Sequence, residues 1–330
     1  MTPAALIEAA IQSHAFPGAV VETGGREAVR WTQAFGTLTY APDSPRVVLD
    51  TIYDLASLTK VIATATQARR ALEAGALALD RRVAEYLPEW RGTDRAEVAI
   101  ADLLEHASGL TGYLPFFRDC HGRAEFERAI CTLPLEYAPR TQSIYSDLGF
   151  ILLGFILADV GFPLLDAPLP SGIWFNPPRE LRARCAPTEL DLWRGRLLQG
   201  EVHDENCWAL GGIAGHAGQF GTAAAVGAFA REVLTLIDRG ALGRFVHKST
   251  VPGSSRALAW DTMLPTSSCG TRLSARAIGH TGFTGTSLWI DPELDLYVVF
   301  LTNRVHPTRE NNQIQRVRPA LHDAIAASLQ

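Results

Sequence analysis

Apolar and polar positions follow two rhythms along this chain, one helical and one alternating. Residues 2–14 repeat at helical spacing and predict a first helix. Segments 16–22 and 28–35 are β-rich, and Gly24-Gly25 between them predicts a hairpin. From Asp54, placed as an N-cap, apolar residues recur through Leu58, Val61, Ile62, Ala65, Ala68 and Leu72 until Gly75, which marks a long alanine-rich helix. A short helix is expected over 102–106, ending at Ser108-Gly109. From there to about 200 the pattern gives helical patches broken by Pro and Gly, including the proline-rich stretch 162–178, with little strand signal. Within it, 148–158 is apolar all round and reads as a buried helix. Thr222 is placed as the N-cap of a helix over 223–236. Strand rhythm then returns at 257–263, 276–280, 286–290 and 295–303, before a last helix over 312–329.

Strands at both ends with helices between them predict an α+β fold, an antiparallel sheet flanked by helices plus an inserted helical domain. Short connections between the C-terminal strands favour antiparallel pairing. The expected division is 1–65 with 222–330 as the sheet domain and 66–221 as the mainly helical insertion.

Composition narrows the function. The 330 residues are 47% hydrophobic and 20% charged, as in a globular enzyme, and the net charge of −5 without a basic run argues against a nucleic-acid partner. The apolar segment 148–158 is too short to span a bilayer. Five scattered cysteines without a Cys-x-x-Cys pair read as free thiols. Residues 1–13 lack a basic segment followed by an apolar run, so the cytoplasm is the expected location.

Candidate chemistry begins at Ser57 and Lys60. Three residues apart on a helix, they share one face with Cβ atoms roughly 5–6 Å apart, so the amine is placed to take the hydroxyl proton. Free N–H groups near the helix start favour developing negative charge. Two further short motifs complete a set. Tyr145-Ser-Asp147 precedes the buried helix, where a phenol can project into a cleft. His280-Thr281-Gly282 ends a strand, and its glycine admits close approach of a substrate carbonyl to backbone. The order Ser-x-x-Lys, Tyr-x-Asp, His-Thr-Gly is far more specific than any one of them.

On these residues the chain resembles the serine β-lactamase and D-Ala-D-Ala peptidase (penicillin-binding protein) superfamily, in particular the class C β-lactamase-like hydrolases and esterases. The resemblance runs through Tyr53-Asp-Leu-Ala-Ser-Leu-Thr-Lys60, Asp102-Leu-Leu-Glu-His-Ala-Ser-Gly-Leu110, Tyr145-Ser-Asp-Leu-Gly-Phe-Ile-Leu-Leu-Gly154 and Gly279-His-Thr-Gly-Phe-Thr-Gly-Thr286. It implies a β-lactamase/transpeptidase-like fold with the active site between the domains. It also implies an acyl-enzyme on Ser57, with either Lys60 or the phenolate of Tyr145 as the base and Tyr145 protonating the leaving group. The oxyanion is assigned to the N–H groups of Ser57 and Phe283. Asp147, His280, Thr281, Gly282, Phe283 and His203 are the expected substrate-binding residues, and no metal or organic cofactor is required.

Two departures narrow the substrate. Asp147 stands where many class C enzymes have Asn, and a carboxylate only accepts hydrogen bonds where an amide also donates. It also favours the charged form of Lys60. His280 stands where lactamases commonly have lysine, so a fixed cation becomes a titratable one. The expected activity is hydrolysis of esters or D-amino-acid peptides, with weak β-lactamase activity beside it. Alternatives are a true class C β-lactamase and a non-catalytic cleft-binding or regulatory member. The expected partner is a small-molecule or short peptide substrate. A Gly-x-Ser-x-Gly esterase is excluded because Ala56 and Leu58 flank Ser57. His203, Asp204 and His216 are candidates for the cleft wall, and their irregular spacing argues against zinc. His106 is expected to be a structural residue at a helix end, and Arg304, His306 and Arg309, after the last strand, a solvated surface, with recognition of an anionic group as the alternative.

Overall fold

A computed structural model describes residues 1–329. The main sheet takes β1 (Gly18–Gly24) and β2 (Val29–Gly36) from the N-terminal part. From the C-terminal part it takes β8 (Asp261–Thr262), β9 (Ile278–Thr281), β10 (Ser287–Asp291) and β11 (Leu296–Thr302). Its order is β2-β1-β11-β10-β9-β8, antiparallel throughout, with β1 joined to β11 from Ala19↔Thr302 to Gly24↔Tyr297. β1 and β11 are buried along their whole length and mostly apolar on both faces, with the buried Glu22 of β1 accepting from the Tyr297 hydroxyl at 2.8 Å. Alternate side chains enter different cores. Val20, Leu288, Ile290, Val299 and Leu301 face α7 (Ala223–Asp238) and join the core of the middle of the chain. Ala19, Val21, Trp289, Val298 and Phe300 face α1 (Pro3–Gln12) and the C-terminal helix. A central strand covered on both faces needs this nearly continuous apolar run.

The middle of the chain holds α2 (Ala65–Glu73), α3 (Ile100–Leu104), α4 (Gly122–Thr132), α5 (Asp147–Asp159) and α6 (Glu205–Ala209); α7 (Ala223–Asp238) and α8 (Ile314–Ala327) cover the sheet. Thr222 caps α7 through its side chain, and Ser146 caps α5. Among the described residues no helix is long and apolar enough to cross a membrane.

Three expectations are corrected. The helix expected from Asp54 to Gly75 is not uniform: a 3₁₀ turn (Ala56–Leu58) leads into a π-turn (Lys60–Thr64) and only then into α2. Asp54 is not its cap, because it lies in β3 (Tyr53–Asp54), and Leu55 takes the cap position with no side-chain bond. The region expected to lack strands contributes β4 (Ile173–Phe175), which joins β3 and β7 (Gln219–Gly221) in a second sheet, and the hairpin of β5 (Leu190–Asp191) and β6 (Arg196–Leu197). Segments of two or three residues are too short to show a period. The strand expected over 257–263 shrinks to β8, because Ala259 turns the chain with φ +68°.

Candidate active site

The turn that carries Ser57 is held from beneath. The buried Asp54 carboxylate accepts from the Ala56 N–H at 2.8 Å and from the His203 N–H at 2.7 Å. Ala56 itself sits at φ +47°, a conformation costly for a residue with a Cβ. Thr59 closes the turn onto the Ala56 carbonyl at 2.7 Å. Strained backbone immediately before a hydroxyl is the kind of feature that packing elsewhere must sustain.

Four polar groups meet here. Lys60 Nζ donates to Ser57 Oγ at 3.0 Å, to Asp147 Oδ1 at 2.6 Å and to the His216 carbonyl at 3.0 Å. The Tyr145 hydroxyl donates to the same Ser57 Oγ at 2.8 Å. The Lys60 side chain is fully buried. Burial alone would lower its pKa, but Asp147 and Tyr145 outweigh it and the net shift is upward. An ammonium has three N–H bonds, and here each has an acceptor. Burial raises the Tyr145 pKa against the pull of Lys60. The resting arrangement is therefore an ammonium, a phenol and a hydroxyl, with Asp147 as counter-ion.

The helix start explains the placement of Tyr145 and Asp147. Ser146 Oγ accepts from the Gly149 N–H at 3.2 Å, so Tyr145 lies just before the cap and Asp147 in the first turn of α5. His106, with φ +55°, accepts from the Ser146 N–H at Nδ1 (2.9 Å), and its ring lies 4.6 Å from that of Tyr145. Burial pulls its pKa well down, so it is a neutral support, in keeping with a structural residue.

The opposite wall is β9 and the turn after it. His280 Nδ1 lies 2.8 Å from the Thr281 carbonyl, which requires the proton there and leaves Nε2 as a buried acceptor without a partner. Burial first, then the charges of Arg256 and Lys60, hold its pKa well below the usual histidine value. The expectation of a titratable cation is thus corrected: His280 is neutral. The cation on this wall is Arg256, whose guanidinium stands 5.3 Å from the Tyr145 ring centre and only 3.9 Å from Asp261. Gly282 is required, since a Cβ there would lie 2.1 Å from Thr286 Oγ1 and 2.7 Å from the Leu55 carbonyl. Ser57, Tyr145, Asp147, His203, His280 and Phe283 all line one cavity of about 620 Å³, as do Thr281 and Gly282.

Other expectations separate. His203 reaches the cavity wall, but its Nε2 pairs with Glu189 at 2.8 Å. The His216 ring does not line the cleft; it pairs with Asp204 at 2.8 Å, and its carbonyl serves Lys60. Among the described residues no three His, Cys, Asp or Glu side chains converge as metal ligands. Arg304 and Arg309 are not a solvated surface. Arg304 is buried, donates to the Phe283 carbonyl at 2.8 Å and lies 4.4 Å from the Phe283 ring centre. Arg309 is held by Glu189 and Glu205 at 2.6 and 2.7 Å. His306 is buried against the Thr188 carbonyl. Arg256 and Arg318 line the cavity with no motif in the sequence to announce them.

A family model described as Beta-lactamase matches residues 4–161 and 167–321. A protein of Escherichia coli K12, provisionally named a D-alanyl-D-alanine carboxypeptidase, is 30% identical over 307 residues, covering 78% of this chain and 70% of the relative. Among solved structures, a class C beta-lactamase superposes with a TM-score of 0.80 at 20% identity, covering 99% of this chain and 95% of its own. A hydrolase with promiscuous acyltransferase activity gives 0.75 at 21% identity, covering 98% and 97%. At these identities the superpositions establish the shared α+β fold.

Proposed function

The chain belongs to the beta-lactamase family of serine hydrolases, and from that premise we propose that it cleaves an ester or amide through an acyl-enzyme on Ser57, as a carboxylesterase or D-amino-acid peptidase. The observation that carries this reading is the contact of Ser57 Oγ with both Lys60 and Tyr145 at the wall of the cavity. Ser57 Oγ bonds to the substrate carbonyl carbon. Its proton passes to Lys60 as Lys60 hands one to Asp147, because the resting ammonium has no lone pair to offer. Tyr145 gives its proton to the leaving group as the carbon–leaving-group bond breaks, and recovers one from the Lys60–Asp147 pair. Water then attacks the acyl carbon, and the same route returns a proton to Ser57. The N–H groups of Ser57 and Phe283 are the oxyanion donors; among the described residues neither has another acceptor.

Arg256 favours an acidic group on the leaving side, as in a peptide ending in a free carboxylate, because it is the cation nearest Tyr145 that lacks a tight counter-ion. Neutral His280 offers that substrate an acceptor at Nε2. Incubation with p-nitrophenyl acetate and butyrate, nitrocefin and a D-alanyl-D-alanine peptide, beside Ser57→Ala, tests the reading. Turnover of ester or peptide that vanishes in the variant is expected, with nitrocefin the poorest substrate. No turnover and no acyl adduct by intact-mass spectrometry would overturn it.

A further inference from the structure

The turn after β9 is gripped by an arginine that belongs to neither the motifs nor the proton route. Arg318, on α8, is buried, and one of its terminal nitrogens donates to the Gly282 carbonyl and to the Thr286 carbonyl, each at 2.9 Å. The Gly282 carbonyl and the Phe283 N–H belong to one peptide unit, and in a trans peptide they point in opposite directions. Holding the carbonyl on Arg318 therefore fixes the direction of the Phe283 N–H, in a turn whose Thr281, Gly282 and Phe283 line the same cavity as Ser57. The same turn is stitched to the Ser57 segment, since Thr284 donates to the Asp54 carbonyl at 2.7 Å and Thr286 to the Leu55 carbonyl at 3.1 Å.

The electrostatics point the same way. Among the described residues no carboxylate pairs with Arg318, and burial together with the Arg304 charge pulls its pKa down. A buried cation without a counter-ion is costly to keep. An oxyanion formed from a carbonyl oxygen at Ser57 brings negative charge to this wall, and a guanidinium on the Gly282 carbonyl polarises that peptide so that its N–H is a stronger donor.

We propose that Arg318 is a positioning residue for the oxyanion site: it fixes the Gly282–Phe283 peptide so that the N–H faces the reacting carbonyl, and its uncompensated charge stabilises the tetrahedral intermediate. The proposal rests on the reading of Ser57 as the acyl carrier.

The test compares wild type, Arg318→Gln and Arg318→Lys in the full chain, each checked for folding by circular dichroism. Acylation by p-nitrophenyl acetate is measured as kcat and KM, and affinity for a phenylboronic acid, which forms a tetrahedral adduct on serine, is measured beside it. In Arg318→Gln, kcat should fall about tenfold to a hundredfold, less than the roughly 10²–10³-fold cost of deleting an oxyanion donor. KM should move little, and boronate affinity should fall with kcat. Arg318→Lys, which keeps the charge, should recover part of both. Wild-type kcat in folded Arg318→Gln, or a loss confined to KM, overturns the proposal. If Arg318→Gln does not fold, Arg318→Lys decides: a parallel loss of about threefold or more in kcat and boronate affinity supports the proposal, and wild-type values for both overturn it. Failure of wild type to form any Ser57 adduct would instead sink the underlying hydrolase reading.

Discussion

Two buried cations stand on opposite walls around Ser57, and they are kept in opposite ways. Lys60, on the helical wall, has Asp147 at 2.6 Å and an acceptor for every proton. Arg318, on the sheet wall, has carbonyl oxygens and, among the described residues, no carboxylate. A lysine beside a carboxylate can pass a proton to it, so its charge can move during a reaction. An arginine holds its proton through the working range, so its charge stays where the fold puts it. On the proposed reading, one wall carries proton traffic and the other a standing field. The identity of each cation follows from the task of its wall.

The largest expected effect comes from breaking the mobile side. Lys60→Met should lower kcat for p-nitrophenyl esters about 10³-fold, since it removes the relay and strands Asp147; near-normal rates would refute the relay. Asp147→Asn comes next, with a loss of about tenfold to a hundredfold at neutral pH and a change in the pH profile. Without the carboxylate, burial pulls the Lys60 pKa down against Tyr145 alone, activity waits for a neutral amine, and the acid limb should move to higher pH. An unmoved limb would mean that Asp147 takes no proton.

A smaller effect concerns stability. Burial would raise the Glu189 carboxyl, yet His203 and Arg309 outweigh it and hold its pKa down to about 2. Its contribution, on the order of 2 kcal/mol, is present above the unfolded carboxylate range and lost as pH falls through the folded value. Glu189→Gln should therefore lower the melting temperature at pH 7 and flatten its fall between about pH 4.5 and 2; an unchanged acid slope would show that the pairing stores no stability. The smallest expectation is a null one. Because His280 is neutral, His280→Gln should leave the shape of the rate profile unchanged from about pH 5.5 to 8, and a vanished inflection there would show that His280 titrates after all.

The two walls also differ in how far they could be read from the sequence. Ser57 and Lys60 are three residues apart, and Tyr145 sits beside a helix start, so local spacing and motif order were enough to single out three side chains that the fold brings together. The α+β class followed from strand rhythm at both ends. Arg318 and Arg256 escaped because a guanidinium bonding to carbonyls, or standing over a ring, leaves no pattern in neighbouring residues. Arg304 and Arg309 were misjudged for a related reason: charges after a last strand look solvated until Phe283 and Glu189 fold over them. The 3₁₀ and π turns around Ser57 share the apolar period of a regular helix, so nothing in the period betrays the strain at Ala56.

The pairing of β1 with β11 bears on how the molecule is made. A ribosome emits Ala19 long before its partner Thr302, and Ser57 long before Gly282 and Arg318. During that interval β1 has β2 on one edge and an unpaired edge on the other, the kind of edge that is prone to aggregation. The nascent serine meanwhile lacks the turn that would receive an oxyanion. On the proposed reading, translation keeps the nucleophile idle until α8 emerges and docks, and a chain stalled earlier carries Ser57 without the means to use it.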